Sequence, residues 1–186
     1  MPDFKQLLRD RYPKQSYALF FEVQSATAYQ GRQRADALAM GLWPSRGLDV
    51  IGFEFKANRS DWLRELKSPD KAEEIFQFCD YWYLVADEHT AHIDEIPTTW
   101  GWLRPGEKGL REAKAAPKLA AKALCREFVA SLLRSAQKDR DRAEEKPLAE
   151  IEAKVRAKAR SIFEAKSKAE CDELGKQLKS DGRRVT

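Results

Sequence analysis

In the segment Val50-Ile51-Gly52-Phe53-Glu54-Phe55-Lys56-Ala57, strand alternation sends Ile51, Phe53 and Phe55 to one face and Gly52, Glu54 and Lys56 to the other. The first face is core. The second sets a carboxylate beside an ammonium in an apolar stretch, where charge is costly unless it is paired or bound to an ion. Upstream, Asp36 interrupts an otherwise apolar run, Ala35-Asp36-Ala37-Leu38-Ala39-Met40. If the two strands pair as a hairpin, Asp36 and Glu54 converge at one end of a sheet. Two carboxylates suit a hard divalent ion: Mg²⁺ takes one or two from a protein and keeps waters that a substrate phosphate can displace. A lysine beside the ion can orient or deprotonate the attacking water, while the metal stabilises the charge developing on the phosphate. A Glu-x-Lys pair alone is common and is usually a surface ion pair, so the elements around it must carry the argument.

Those elements read as follows. Residues 17–29 follow Pro13 and read as a helix, although Tyr17-Ala18-Leu19-Phe20-Phe21 also fits a buried strand. Residues 34–43 read as a strand, Pro44-Ser45-Arg46-Gly47 as a turn, and 49–57 as the partner strand of a hairpin. Asn58 and Ser60 are candidate N-caps for a helix beginning Asp61-Trp62-Leu63, interrupted at Ser68-Pro69 and resuming to about Cys79. Tyr81-Trp82-Tyr83-Leu84-Val85-Ala86 suits a central buried strand. Residues 100–104 and 110–115, separated by Pro105-Gly106, read as a further hairpin. Past Pro117 the chain turns rich in Ala, Lys, Glu and Arg and lacks Trp and Tyr, which places a boundary there. Two helices are expected in this extension, about 118–143 and 147–180, with Pro147 in the first turn of the second.

Composition bounds the class. With 186 residues, 42% hydrophobic, the chain can build one full domain plus an appendage. Cys79, Cys125 and Cys171 are scattered with no C-x-x-C pair, which fits a reducing compartment and argues against a structural zinc site. The N-terminus has no apolar signal core and no apolar run nears the roughly 18 residues of a membrane span, so a soluble, cytoplasmic protein is expected. The net charge of +4 hides an asymmetry: residues 1–117 hold 16 Lys+Arg against 18 Asp+Glu, a net of −2, and residues 118–186 hold 18 against 12, a net of +6. The basic tail reads as a solvated helical surface of mixed charge. No Gly-rich phosphate loop occurs, which excludes a nucleotide cofactor of that type.

The order helix, strand with Asp36, strand with Glu54-x-Lys56, helix, strand resembles the core of the PD-(D/E)xK nuclease superfamily, the restriction-endonuclease-like fold. More narrowly, Arg34-Ala35-Asp36-Ala37-Leu38-Ala39 followed by Gly52-Phe53-Glu54-Phe55-Lys56-Ala57-Asn58-Arg59-Ser60-Asp61-Trp62 resembles bacterial and phage proteins related to MmcB-type DNA-repair proteins. The resemblance covers about residues 15–116, and Ala35 stands where the superfamily usually has Pro. It implies an α/β fold, a central mixed sheet flanked by helices in residues 1–117, with the basic helical extension at 118–186. It also implies a Mg²⁺-dependent nuclease, with Mn²⁺ able to substitute, acting on DNA in repair, recombination or phage DNA metabolism. Asp36 and Glu54 would be metal ligands and Lys56 the water-positioning or general-base residue; Glu22, on the first core helix, and Gln77 are further catalytic candidates.

Arg32, Arg34, Arg59 and Lys71 are candidate phosphate contacts. Arg64 and Lys67 could serve likewise or pair with acids such as Glu65 and Asp70, and Trp62 reads as a core anchor rather than a stacking platform. Two other classes stay open: a catalytically inactive DNA-binding accessory protein of the same fold, and a homo-oligomeric scaffold assembled through the tail.

Overall fold

The computed structural model describes residues 3–25, 34–67 and 73–181. A short helix, α1 (Phe4–Arg11), comes first. It starts where the Asp3 carboxylate accepts the Gln6 amide at 3.1 Å, and it ends at Tyr12, since a residue before proline is pushed out of the helical region. Six strands follow: β1 (Tyr17–Gln24), β2 (Arg34–Gly41), β3 (Val50–Phe55), β4 (Tyr81–Val85), β5 (Gly101–Gly106) and β6 (Gly109–Lys114). Helices α2 (Arg59–Leu66) and α3 (Glu73–Phe76) connect β3 to β4, and α4 (Arg126–Asp181) closes the chain. The strands form one sheet in chain order. β1, β2 and β3 pair antiparallel, β3, β4 and β5 parallel, and β5 and β6 antiparallel.

The sheet is covered on both faces. On one, Leu8 of α1 and Tyr12 just after it pack with Phe21, Phe53, Tyr83, Val85 and Leu103. On the other, Trp62 of α2 packs with Leu38, Trp82, Leu84, Trp100 and Phe128. Double coverage explains why 17–24 is a strand and not the expected helix. Apolar residues on both faces erase the polar alternation that marks a half-buried strand, and the aromatic run favours extended backbone once neighbours cover it. Residues 26–29 of that expected helix, and the Ser68-Pro69 interruption, lie outside the described residues.

The turn and the central strand form as read. Gly47 takes φ +86°, a left-handed conformation, behind the single turn Pro44–Arg46. Gly52 is opposite Trp82 in the parallel β3–β4 register, and a Cβ built there would lie 2.1 Å from the indole. Gly52→Ala is therefore expected to lower stability by about 1–3 kcal/mol through overpacking, read as a lower urea midpoint at unchanged m-value.

The chain divides into compact units Met1–Lys138 and Asp139–Thr186. The first extends past the compositional change because Phe128 and Leu132 belong to its core, as do the partly buried Leu119 and Leu124. The expected pair of helices is replaced by α4 alone, and Pro147 lies inside it, where it removes one intrahelical hydrogen bond. Residues 118–125 are not helical: the Leu119 amide donates to the Asp80 carbonyl at 2.8 Å and the Lys122 amide to the Gln77 carbonyl at 2.7 Å. Donors spent on the body of the domain cannot bond four residues back. In the second unit, Arg160 pairs with Glu164 at 3.7 Å, and Val155 and Phe163 are exposed. Among the described residues no helix is long and apolar enough to cross a membrane.

Candidate functional site

The site forms where β2 and β3 part. Their ladder runs from Met40–Val50 to Ala37–Phe53, and one step further in the same register Asp36 faces Glu54. There the backbone pairing ends, and the Asp36 carboxylate accepts the Phe55 amide at 2.7 Å. On its other edge β3 stays attached, with the Lys56 amide donating to the Val85 carbonyl at 3.1 Å. A side chain thus replaces a strand neighbour at the carboxyl end of β3. That is also where the sheet changes from antiparallel to parallel pairing.

Glu54 and Lys56 alternate onto the face of Trp82 and Leu84, opposite Phe53. The Lys56 ammonium bonds the Glu54 carboxylate and lies 3.0 Å from a carboxylate oxygen of Glu65 on α2. The three side chains are only 12%, 11% and 13% exposed, so water screens them weakly. Glu65 reaches the sheet because α2 is oriented by its neighbours. The Asn58 side chain caps it by accepting the Asp61 amide at 3.0 Å, and Trp62, one turn before Glu65 on the same face, is fully buried.

The electrostatics record an excess of negative charge. Burial raises the Glu54 carboxyl to about 7, and the nearby Asp36 carboxylate adds to the rise despite Lys56. Burial also raises Asp36, against the Phe55 amide and Lys56, which favour its charged form. For Lys56, burial disfavours the ammonium, but Glu54 and Glu65 outweigh it and the pKa lies above the ordinary value. Three carboxylates against one ammonium leave a formal charge of −2 when all are ionised. A single divalent cation would neutralise that excess, and Asp36 and Glu54 supply the oxygen donors that Mg²⁺ prefers. Lys56 lies between Glu54 and Glu65, and among the described residues no three His, Cys, Asp or Glu form a metal-holding group. Mg²⁺ needs only one or two protein carboxylates, so the donor set fits it.

The structure thus brings Asp36, Glu54 and Lys56 to one place. Glu22 lies on β1 rather than on a helix, in register with Asp36, and takes φ +54°. Its carboxylate pairs with Lys5 of α1 at 2.8 Å and approaches Arg34 to 4.0 Å. Gln77 does not join the site: it precedes β4 at the far end of the sheet, where its side chain accepts from Lys122 at 2.9 Å and donates to the Glu74 carbonyl at 2.8 Å. Arg59 forks onto Glu95 and also donates to the Thr90 carbonyl at 3.2 Å, tying α2 to the loop before β5. A phosphate contact by Arg59 would compete with this internal pairing. The Arg59 guanidinium in turn holds Glu95 down to about 2. Arg34, two residues before Asp36, is exposed, whereas Arg32 and Lys71 lie outside the described residues. Arg64 pairs with Asp61 at 3.4 Å, not with Glu65.

Glu65 is the residue sequence reasoning missed. The available signal was its spacing: three residues beyond a tryptophan read as core, it must face the same way.

Fold and site together define an α/β protein whose six-stranded mixed sheet, flanked by helices, carries a buried acidic cluster around one lysine. No family model matches the chain, and no curated protein does. Among solved structures it is similar to a protein of unknown function from Silicibacter pomeroyi, 16% identical over 78% of this chain and 90% of that one, with a TM-score of 0.52. At that identity the likeness is one of fold.

Proposed function

We propose that the chain is a metal-dependent nuclease with a restriction-endonuclease-like core of the PD-(D/E)xK type, hydrolysing phosphodiester bonds of DNA. The observation that carries this reading is the convergence of Asp36, Glu54 and Lys56 at the parted end of β2 and β3, with negative charge in excess. The succession β2 with Asp36, β3 with Glu54-x-Lys56, α2, β4 supports it as well, with β1 standing where the first core helix was expected. Asp36 and Glu54 would hold Mg²⁺ or Mn²⁺, which supplies Lewis-acid stabilisation and a more acidic water. Lys56 holds its proton under the pull of two carboxylates, so it acts as a cation that orients water and offsets phosphate charge. Arg34, exposed beside Asp36, can bind a flanking phosphate without reading sequence.

The test is cleavage of plasmid and single-stranded DNA with Mg²⁺ or Mn²⁺ by wild type and Asp36→Ala. Loss of cleavage in the variant is expected; equal activity in both would overturn the reading. An accessory role without turnover is favoured by one observation, the internal pairing of Lys56 with Glu54 and Glu65. Metal-dependent thermal stabilisation in the absence of any cleavage would select it.

A further inference from the structure

Lys56 has two carboxylate partners of different kinds. Glu54 comes from its own strand and is a ligand candidate for the metal; Glu65 comes from α2, outside the Asp36–Glu54 pair proposed to hold it. We propose that Glu65 is the positioning residue for Lys56, the anchor that keeps the ammonium on the site while Glu54 turns to the cation. The inference rests on the nuclease reading for its catalytic consequence but not for its structural one. A cation drawn to Glu54 repels the ammonium that shares that carboxylate. A lysine side chain released from its anchor regains rotamer freedom, so without a second anchor the reactive position is lost.

The frame around Glu65 is built to keep it in place. Glu95 receives the Trp62 indole N–H at 3.2 Å and the fork of Arg59, which fixes α2 on both sides of the turn preceding Glu65. Trp62 is fully buried, and Leu66, next to Glu65, packs against the same core. Glu65 is therefore held by a helix apart from the strand that carries Glu54, the carboxylate that would turn to the metal.

The experiment combines two readouts. Nitrogen-resolved NMR of the lysine ammonium groups is recorded on wild type, Glu54→Gln and Glu65→Gln, and steady-state cleavage is measured on wild type and Glu65→Gln. The Lys56 ammonium signal is expected to persist in Glu54→Gln, where Glu65 alone holds it. On adding Mg²⁺ it should stay in wild type and disappear by exchange in Glu65→Gln. In cleavage, Glu65→Gln should lower kcat on the order of 10- to 100-fold, with KM for DNA unchanged, a split that a general loss of folded protein does not mimic for the titrated active fraction. Loss of the Lys56 signal in Glu54→Gln, or an unchanged kcat in Glu65→Gln, overturns the proposal. If wild type cleaves nothing, the nuclease reading falls, and the Glu54→Gln spectrum still decides whether Glu65 holds Lys56.

Discussion

Replacing Lys56 by methionine is expected to cut metal-dependent cleavage by about 100-fold or more, the range in which positioned acid–base and charge-offsetting groups act. The same substitution should change stability in a way that depends on pH and on metal. Removing one member of a buried ion pair leaves the other uncompensated, at a cost of roughly 3–5 kcal/mol when nothing relieves it. Here two things can relieve it. Glu54, Asp36 and Glu65 can take up protons, since Glu54 already titrates near 7 with the ammonium in place. A divalent cation can also take the ammonium's role. The variant should therefore lose most stability in EDTA at pH 8, regain it as the pH falls, and gain more from Mg²⁺ than wild type does. Urea denaturation at pH 5 and 8, with EDTA or Mg²⁺, measures all three. A loss of stability independent of both pH and metal would point to simple packing of the lysine stem.

Much of this arrangement was legible beforehand, for identifiable reasons. A carboxylate in an alanine-rich strand and a Glu-x-Lys among aromatics are visible because strand alternation has a period of two. The shared face of Glu54 and Lys56 needs nothing more. The pairing of β2 with β3 was legible too, because Pro44 and Gly47 mark the turn between them. What escaped depends on partners distant in the chain. Arg59 carries no mark in the sequence of its pairing with Glu95, 36 residues away. Gln77 lies in the turn just past α3, at the far end of the sheet, which only the parallel direction of β4 decides. Residues 118–125 have a helix-forming composition, and two backbone hydrogen bonds to residues some 40 positions earlier override it. Glu22 was placed on a helix because apolar residues on both faces of β1 hide the strand period. Its left-handed φ of +54° marks the point where Phe21 and Val23 change from one core to the other.

The second large effect concerns Glu54 and the pH dependence of the metal-free protein. Its carboxyl titrates near 7 in the folded chain against an ordinary 4.5. For a group raised in this way, the stabilisation is complete below the unfolded value, declines from about 4.5 upwards, and is gone once the pH passes about 7. At about 1.4 kcal/mol for each tenfold change in a protonation constant, the loss across that window amounts to a few kcal/mol. Glu95 acts in the opposite sense, since it is held down to about 2 by Arg59, but its contribution is lost only as the pH falls from about 4.5 towards 2. The two windows do not overlap. Between pH 5 and 8 the metal-free wild type should therefore lose stability steadily, while Glu54→Gln, fixed in the neutral form and with Lys56 still held by Glu65, should not. The variant should match wild type at pH 5 and exceed it at pH 8 in EDTA. Mg²⁺ should reverse that order, because the ion competes with the proton for Glu54 and keeps only Asp36 of its two proposed ligands in the variant. Thermal denaturation of both proteins at the two pH values, with and without Mg²⁺, decides the matter. A wild type as stable at pH 8 as at pH 5 in EDTA would mean that Lys56 alone satisfies Glu54, and that the site has no excess charge for a metal to neutralise.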